Sequence, residues 1–189
     1  MFLGVTVFVA IMFAFLWYVT TYNRLVATRE RVGQAWSNID VLLTQRTDEL
    51  PKLVETCKRY MAYEQETLER VMQARSAVSR AQGQRDVAAV GAAEEQLRTN
   101  LGRLFAVAEN YPALKADATF AHLQRRISEI EETIADRREL YNDAVNINNI
   151  RVQAFPDLIV ARQFDFATAD LLEFAETQRK DVNLGQLFG

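Results

Sequence analysis

Chemistry needs nucleophiles, bases or metal ligands at workable spacing, and this chain offers few of them. His122 is its single histidine and Cys57 its single cysteine. Zinc and non-haem iron sites usually draw on more than one His or Cys, and di-iron bundles use two Glu-x-x-His pairs. Residue 119 is Thr, so even one such pair is missing. Mg²⁺ or Ca²⁺ would need clustered carboxylates, but Glu94-Glu95 and Glu131-Glu132 read as solvated helix faces. No glycine-rich phosphate loop, nucleophile elbow or His/Cys arrangement is written in the chain. Neither a catalytic residue nor a cofactor nor a metal site is expected, and the chain reads as a non-enzyme.

What remains is a set of polar side chains on or near apolar stripes: Asn38, Asp40, Arg46, Arg138, Asn142 and Asn149. Buried polar groups need partners, and in bundles they often set register. Structural pairing, such as an Arg–carboxylate contact, is the plain reading of this cluster. The alternative is a ligand-binding groove or an unrecognised enzyme site centred on Arg138 and Asn142.

The elements that must position these groups are helices. Through residues 35–64, apolar side chains recur at Trp36, Ile39, Leu43, Leu50, Leu53, Cys57 and Tyr60, in steps that suit one face of a long helix. The repeat near seven residues fits nearly parallel, coiled-coil-like packing. Arg46 stands on that stripe where an apolar residue is due. Cys57, also on it, reads as a small core residue. Pro51 is expected to kink a continuous helix rather than end one, because the stripe keeps its register across it.

Residues 1–23 carry no charged side chain, and MFLGVTVFVAIMFAFLWYVT is long enough to cross a bilayer as a helix of about 30 Å. Trp17, Tyr18 and Tyr22 fall where an aromatic belt meets the headgroups. A cleaved signal peptide would start with basic residues and end in small ones; this segment does neither. Arg24, Arg29 and Arg31 follow closely, and positive flanks favour the cytoplasmic side. The expected location is the inner membrane, single-pass, with the body in the cytoplasm.

Helix is expected to continue from the span into the body. A rod over residues 25–82 would measure about 87 Å, against about 36 Å for 86–109 and about 54 Å for 117–152. It would outrun its partners, so a reversal is expected within 61–65, although no Gly or Pro marks one. A loop is expected around Gly83, with Asp86 capping the next helix, and Pro112 should stop that helix before Asp117 caps another. The last long helix has the cleanest stripe: Phe120, Leu123, Ile127, Ile130, Ile134, Tyr141, Val145, Asn148 and Val152. After Phe155-Pro156 the tail can form one or two short helices docked on the bundle, and its final residues read as a partly ordered terminus.

The expected organisation is therefore all-α: an anchor over 1–22 continuing into an antiparallel bundle over 23–156, with a packed tail over 157–189. The 189 residues carry 22 Lys or Arg against 25 Asp or Glu, a net charge of −3, which lacks the basic stripe that nucleic acid requires. Seven glycines and three prolines suit a few long helices. The partners expected are membrane lipids along the first helix, together with an unidentified protein or a second copy of the chain.

These residues also resemble a known family. An N-terminal span followed by YN, LV and AWSNIDVLL is similar to the start of LemA family proteins. So are RTDELPKLVETCKRYMAYE, LFAVAENYPALKAD, IADRRELYNDAV and FPDLIVA, in the family's order and over nearly the whole chain. Two departures stand out. Asn148-Asn149 replaces a second Tyr-Asn, and DLLEF stands where an aromatic pair is common. The resemblance implies a bacterial, membrane-anchored antiparallel bundle with no established enzymatic activity and no catalytic residues to carry over. One relative is associated with building a bacterial membrane organelle. Together the two lines imply a protein that organises or binds partners at the membrane, by docking or by self-assembly.

Overall fold

The computed structural model describes residues 2–173; the expectation of a partly ordered terminus lies outside them. The described residues form six helices: α1 (Phe2–Lys58), α2 (Gln65–Gln84), α3 (Val87–Ala108), α4 (Pro112–Lys115), α5 (Ala118–Gln153) and α6 (Asp157–Gln163). The fold is all-α, as expected. Span and body share one uninterrupted helix, α1, which runs through Gly33 and Pro51. The described residues divide into two compact units, one built from 2–39 and 136–171 and the other from 40–135 with 172–173.

In the second unit the chain reverses within residues 59–64, where length alone required it. No glycine or proline is needed because neighbouring side chains hold the turn. The Tyr60 hydroxyl donates to Asp117 at 2.8 Å, the Tyr111 hydroxyl donates to Glu64 at 3.2 Å, and Met61 is buried. Beyond the turn, α2 returns antiparallel to α1. Arg75 Nε donates to the Thr47 carbonyl, and seven residues away in each direction Gln82 donates to Asp40. One helix advances by a heptad as the other retreats by one, the step that keeps an apolar seam closed. The core of this unit includes Leu50, Leu53, Cys57, Val71, Val78, Leu97, Leu101, Leu104, Leu114 and Ile127.

The turn after α2 departs from the sequence expectation. The helix passes through Gly83 and ends at Arg85, a non-glycine residue with a φ of 55°, whose N–H bonds Ala81 and Gln82 carbonyls. Glycine was the conformational signal, but the left-handed position falls two residues later. Asp86 caps α3 by accepting from Ala89 N–H at 2.9 Å, as expected. Asp117 caps α5 through the N–H groups of Thr119 and Phe120. The Tyr60 hydrogen bond, and after it the Phe120 N–H, hold the Asp117 carboxyl below the ordinary aspartate range.

In the first unit, Leu25 of α1 shares a core with Val152, Val160, Ala161 and Phe166, and Tyr18 and Val26 pack against it. Trp36 rests on Tyr141 with ring centroids 5.5 Å apart. It is half-buried, not a sealed core residue as its stripe position suggests. Every member of the α5 stripe from Phe120 to Val152 is buried. The tail supplies one short helix, α6, then a turn at 164–165 and a non-helical segment over 166–171, which side chains of α5 hold.

Candidate functional site

The most concentrated polar chemistry in the described residues lies inside the second unit. Arg46, on α1, donates through Nη2 to both carboxylate oxygens of Glu94 on α3, and both side chains are 3% exposed. Glu131 on α5 approaches Arg46 Nη1 at 3.6 Å. Arg46 Nε and Glu131 Oε1 have no hydrogen-bond partner among the protein groups. Burial pushes the Glu94 carboxyl up, and Arg46 opposes that push. Glu131 is raised for the same first reason, with the charge of Glu94 adding to it. Two carboxyls thus share one guanidinium, an arrangement that aims no group at an open cleft.

This layer corrects the reading of the acidic pairs as wholly solvated. Glu132 does face outward, but Glu94 and Glu131 turn inward, and Glu95 is half-buried beside Arg98. The signal for Glu94 was present: residues 90, 94, 97, 101, 104 and 108 form a seam, and Glu94 is its one charged member.

The other polar residues singled out are divided between the units. Asp40, in the second, is half-buried and accepts from Gln82. Asn38 is exposed on α1 in the first unit, and Arg138 and Asn142 are half-buried on α5, each engaged by a neighbour. Asn149 works as a backbone mimic, accepting from Ala169 N–H at 2.8 Å and donating to the Ala169 carbonyl at 2.9 Å. Asn148 donates to the Ala167 carbonyl at 3.3 Å and Tyr141 to that of Asp170 at 2.8 Å. These three side chains bind the returning tail along α5, the structural pairing that polar seam residues suggest.

Other chemistry-bearing groups are subdued. The Cys57 thiol is buried, and burial pushes it up to about 12, which leaves almost no thiolate to react. His122 is exposed. Among the described residues no group of three or more His, Cys, Asp or Glu is placed to hold a metal ion. A groove of about 710 Å³ runs beside the turn between α1 and α2, floored by Val54, Met61, Leu68 and Met72 and edged by Lys58, Glu69 and Arg80.

At the other extreme of α1, the apolar run is wholly outward-facing, and none of its most hydrophobic window is buried within the protein. By length and composition this helix can cross a membrane. Trp17 and Arg24 are exposed at its end. Tyr18 and Tyr22 meet Phe164 at centroid distances of 6.1 and 4.7 Å, and Tyr22 also meets Phe166 at 5.9 Å. Arg29 lies over the Phe166 ring at 5.3 Å, close enough for a cation–π attraction. The last turn of the apolar run is therefore packed aromatic surface.

The sequence is similar to those of known proteins. Protein LemA of Metamycoplasma hominis is 28% identical over 172 residues, covering 90% of this chain and 77% of that protein. Magnetosome proteins MamQ 1 and MamQ 2 of Paramagnetospirillum magneticum are each 34% identical over 88 residues, which is 47% of this chain. The match spans only 32% of the length of those two relatives. The LemA family model matches residues 35–185, taking in the α1 stripe, the Arg46 layer and the amide-held tail, and the chain belongs to the LemA family.

Proposed function

We propose that this protein is a non-enzymatic, single-pass membrane protein whose helical bundle binds partners or self-assembles at the bacterial inner membrane. The observation that carries the reading is α1 itself, whose charge-free outward-facing run passes without interruption into the bundle. A helix that is apolar all round and unburied is stabilised by lipid, and its rigid continuation holds the body at the surface. Arg24, Arg29 and Arg31 favour a cytoplasmic body. Confinement to a surface raises local concentration, so weak docking is enough for assembly. Leu140, Ile147 and Ile150 lie exposed along one strip of α5, apolar area suited to protein contact. The magnetosome names of two relatives support a role at membranes.

Co-isolation tests this reading. Two differently tagged full-length copies are expressed together, extracted from native membranes in mild detergent and captured by one tag. Recovery of the second tag, or of one protein in fixed stoichiometry, is the expected outcome. A monomer without a stoichiometric partner overturns it, as does substrate turnover abolished by a single polar substitution.

A further inference from the structure

The corner between α5 and α6 exposes Phe155 at 80%, Ile159 at 53% and Phe164 at 43% of their surfaces. On its other face, α6 buries Val160 and Ala161 in the core shared with Leu25. One side of this short helix is thus docked on protein, while on the other Ile159 is exposed beside Arg162 and Gln163, flanked by the exposed rings of Phe155 and Phe164.

The height of this corner along α1 follows from the antiparallel register of the first unit. Trp36 rests on Tyr141, and eleven residues back along α1 Leu25 shares its core with Val152, eleven residues forward along α5. One further step in the same register reaches Gln153, the end of α5, level with Arg24, so the turn that carries Phe155 follows beside the end of the uncharged run. An independent contact gives the same height, since the Phe164 ring lies 4.7 Å from that of Tyr22 and 6.1 Å from that of Tyr18. Where α1 crosses a bilayer, these tyrosines sit at the headgroup level.

We infer that the α5–α6 corner is a second lipid contact, with Phe155, Ile159 and Phe164 entering the interfacial zone of the bilayer that α1 spans. The inference rests on the anchored reading proposed above. The exposed side chains gain by leaving water, and a corner at this height penetrates only the headgroup–acyl boundary, within about 5–10 Å. The charges around it are mixed. Asp157 is paired with Arg151 at 3.7 Å, while Arg162, Arg24 and Asp165 are exposed. Arg24 and Arg162 can reach lipid phosphates on their apolar stems, and Asp165 opposes them. Apolar insertion, rather than attraction to anionic lipid, holds the corner down. Two contacts with one bilayer, the span and the corner, limit tilting and rotation of the first unit.

Spin-label accessibility tests this in the full chain, reconstituted into phosphatidylethanolamine–phosphatidylglycerol vesicles. Single cysteines for nitroxide labelling replace Ile159, Phe8 within the span, or Glu139, which is exposed on α5 far from the corner; the buried Cys57 is left in place. The expected result is that collisions with oxygen exceed those with a water-soluble nickel chelate at positions 8 and 159, and that the balance reverses at 139. A label at 159 that behaves like 139, while 8 stays in lipid, overturns the corner and leaves the anchor standing. A label at 159 shielded from both reagents also overturns it, because protein then covers the corner. A water-exposed label at position 8 overturns the anchored reading itself, and the inference with it.

Discussion

Arg46 and Glu94 meet inside the second unit as a buried ion pair, one guanidinium nitrogen donating to both carboxylate oxygens while each side chain is 3% exposed. Removing two charges from water costs several kcal/mol per ion, and their attraction roughly repays it only when the pair is intact. Glu94→Ala should therefore cost about 3–5 kcal/mol, since it strands Arg46 with only the more distant Glu131. Joint replacement of all three, Arg46→Met with Glu94→Leu and Glu131→Leu, should restore most of that loss. Chemical denaturation of the full chain in detergent measures both. A single variant as stable as the parent would show that the pair contributes nothing.

Stability should depend on pH in two opposed ways. Burial first, then the charge of Glu94, raises the Glu131 carboxyl, with Arg46 pulling against them. A carboxyl whose folded value exceeds its unfolded one, about 4.3 for Glu, stabilises the fold fully below the unfolded value. That contribution is lost as pH rises through the folded value. Asp117 is depressed, so its contribution is present above an unfolded value of about 3.9 and is lost as pH falls through the folded one. Glu131→Gln should flatten the loss on raising pH, and Asp117→Asn the loss at acid pH. Thermal melts at stepped pH check both; profiles parallel to the parent would contradict the assignments.

Gly91 and Gly102 lie in the same helix and should respond oppositely to alanine. A β-carbon at Gly91 would stand 2.2 Å from the Glu173 carbonyl oxygen, whereas at Gly102 nothing lies within 4 Å. Gly102→Ala should gain up to about 1 kcal/mol from helix propensity. Gly91→Ala should cost about 1–3 kcal/mol by forcing Leu172 and Glu173 off α3. Hydrogen exchange at residues 170–173 reads the displacement, and unchanged protection would refute it.

The boundary between anchor and body can be located by truncation. Thr21 is buried, and Tyr18 and Tyr22 pack on the aromatic tail. Deleting residues 2–16 should leave α6 protected against hydrogen exchange, whereas deleting 2–22 should expose it. The second unit, whose core takes nothing from residues before 40, should remain helical in both. Equal protection of α6 in the two forms would show that the tyrosines do not hold it.

Periodicity and length alone determined much of this protein. The outward-facing span, the α1 and α5 stripes, the caps at Asp86 and Asp117 and the reversal within 59–64 follow from local chemistry or chain geometry, so they are legible in order along the chain. Tertiary structure decided the rest, because those features depend on which residues meet across helices. Glu94 and Glu131 turn inward only because Arg46 arrives from another helix to share their charge. Trp36 stays half-buried because Tyr141 covers one of its faces. Asn148 and Asn149 look like interruptions of a seam until the tail returns and presents its backbone. The left-handed residue is Arg85 rather than Gly83, since the packing of α2 carries the helix past its glycine. A polar side chain's partner lies tens of residues away, and no local pattern encodes that distance.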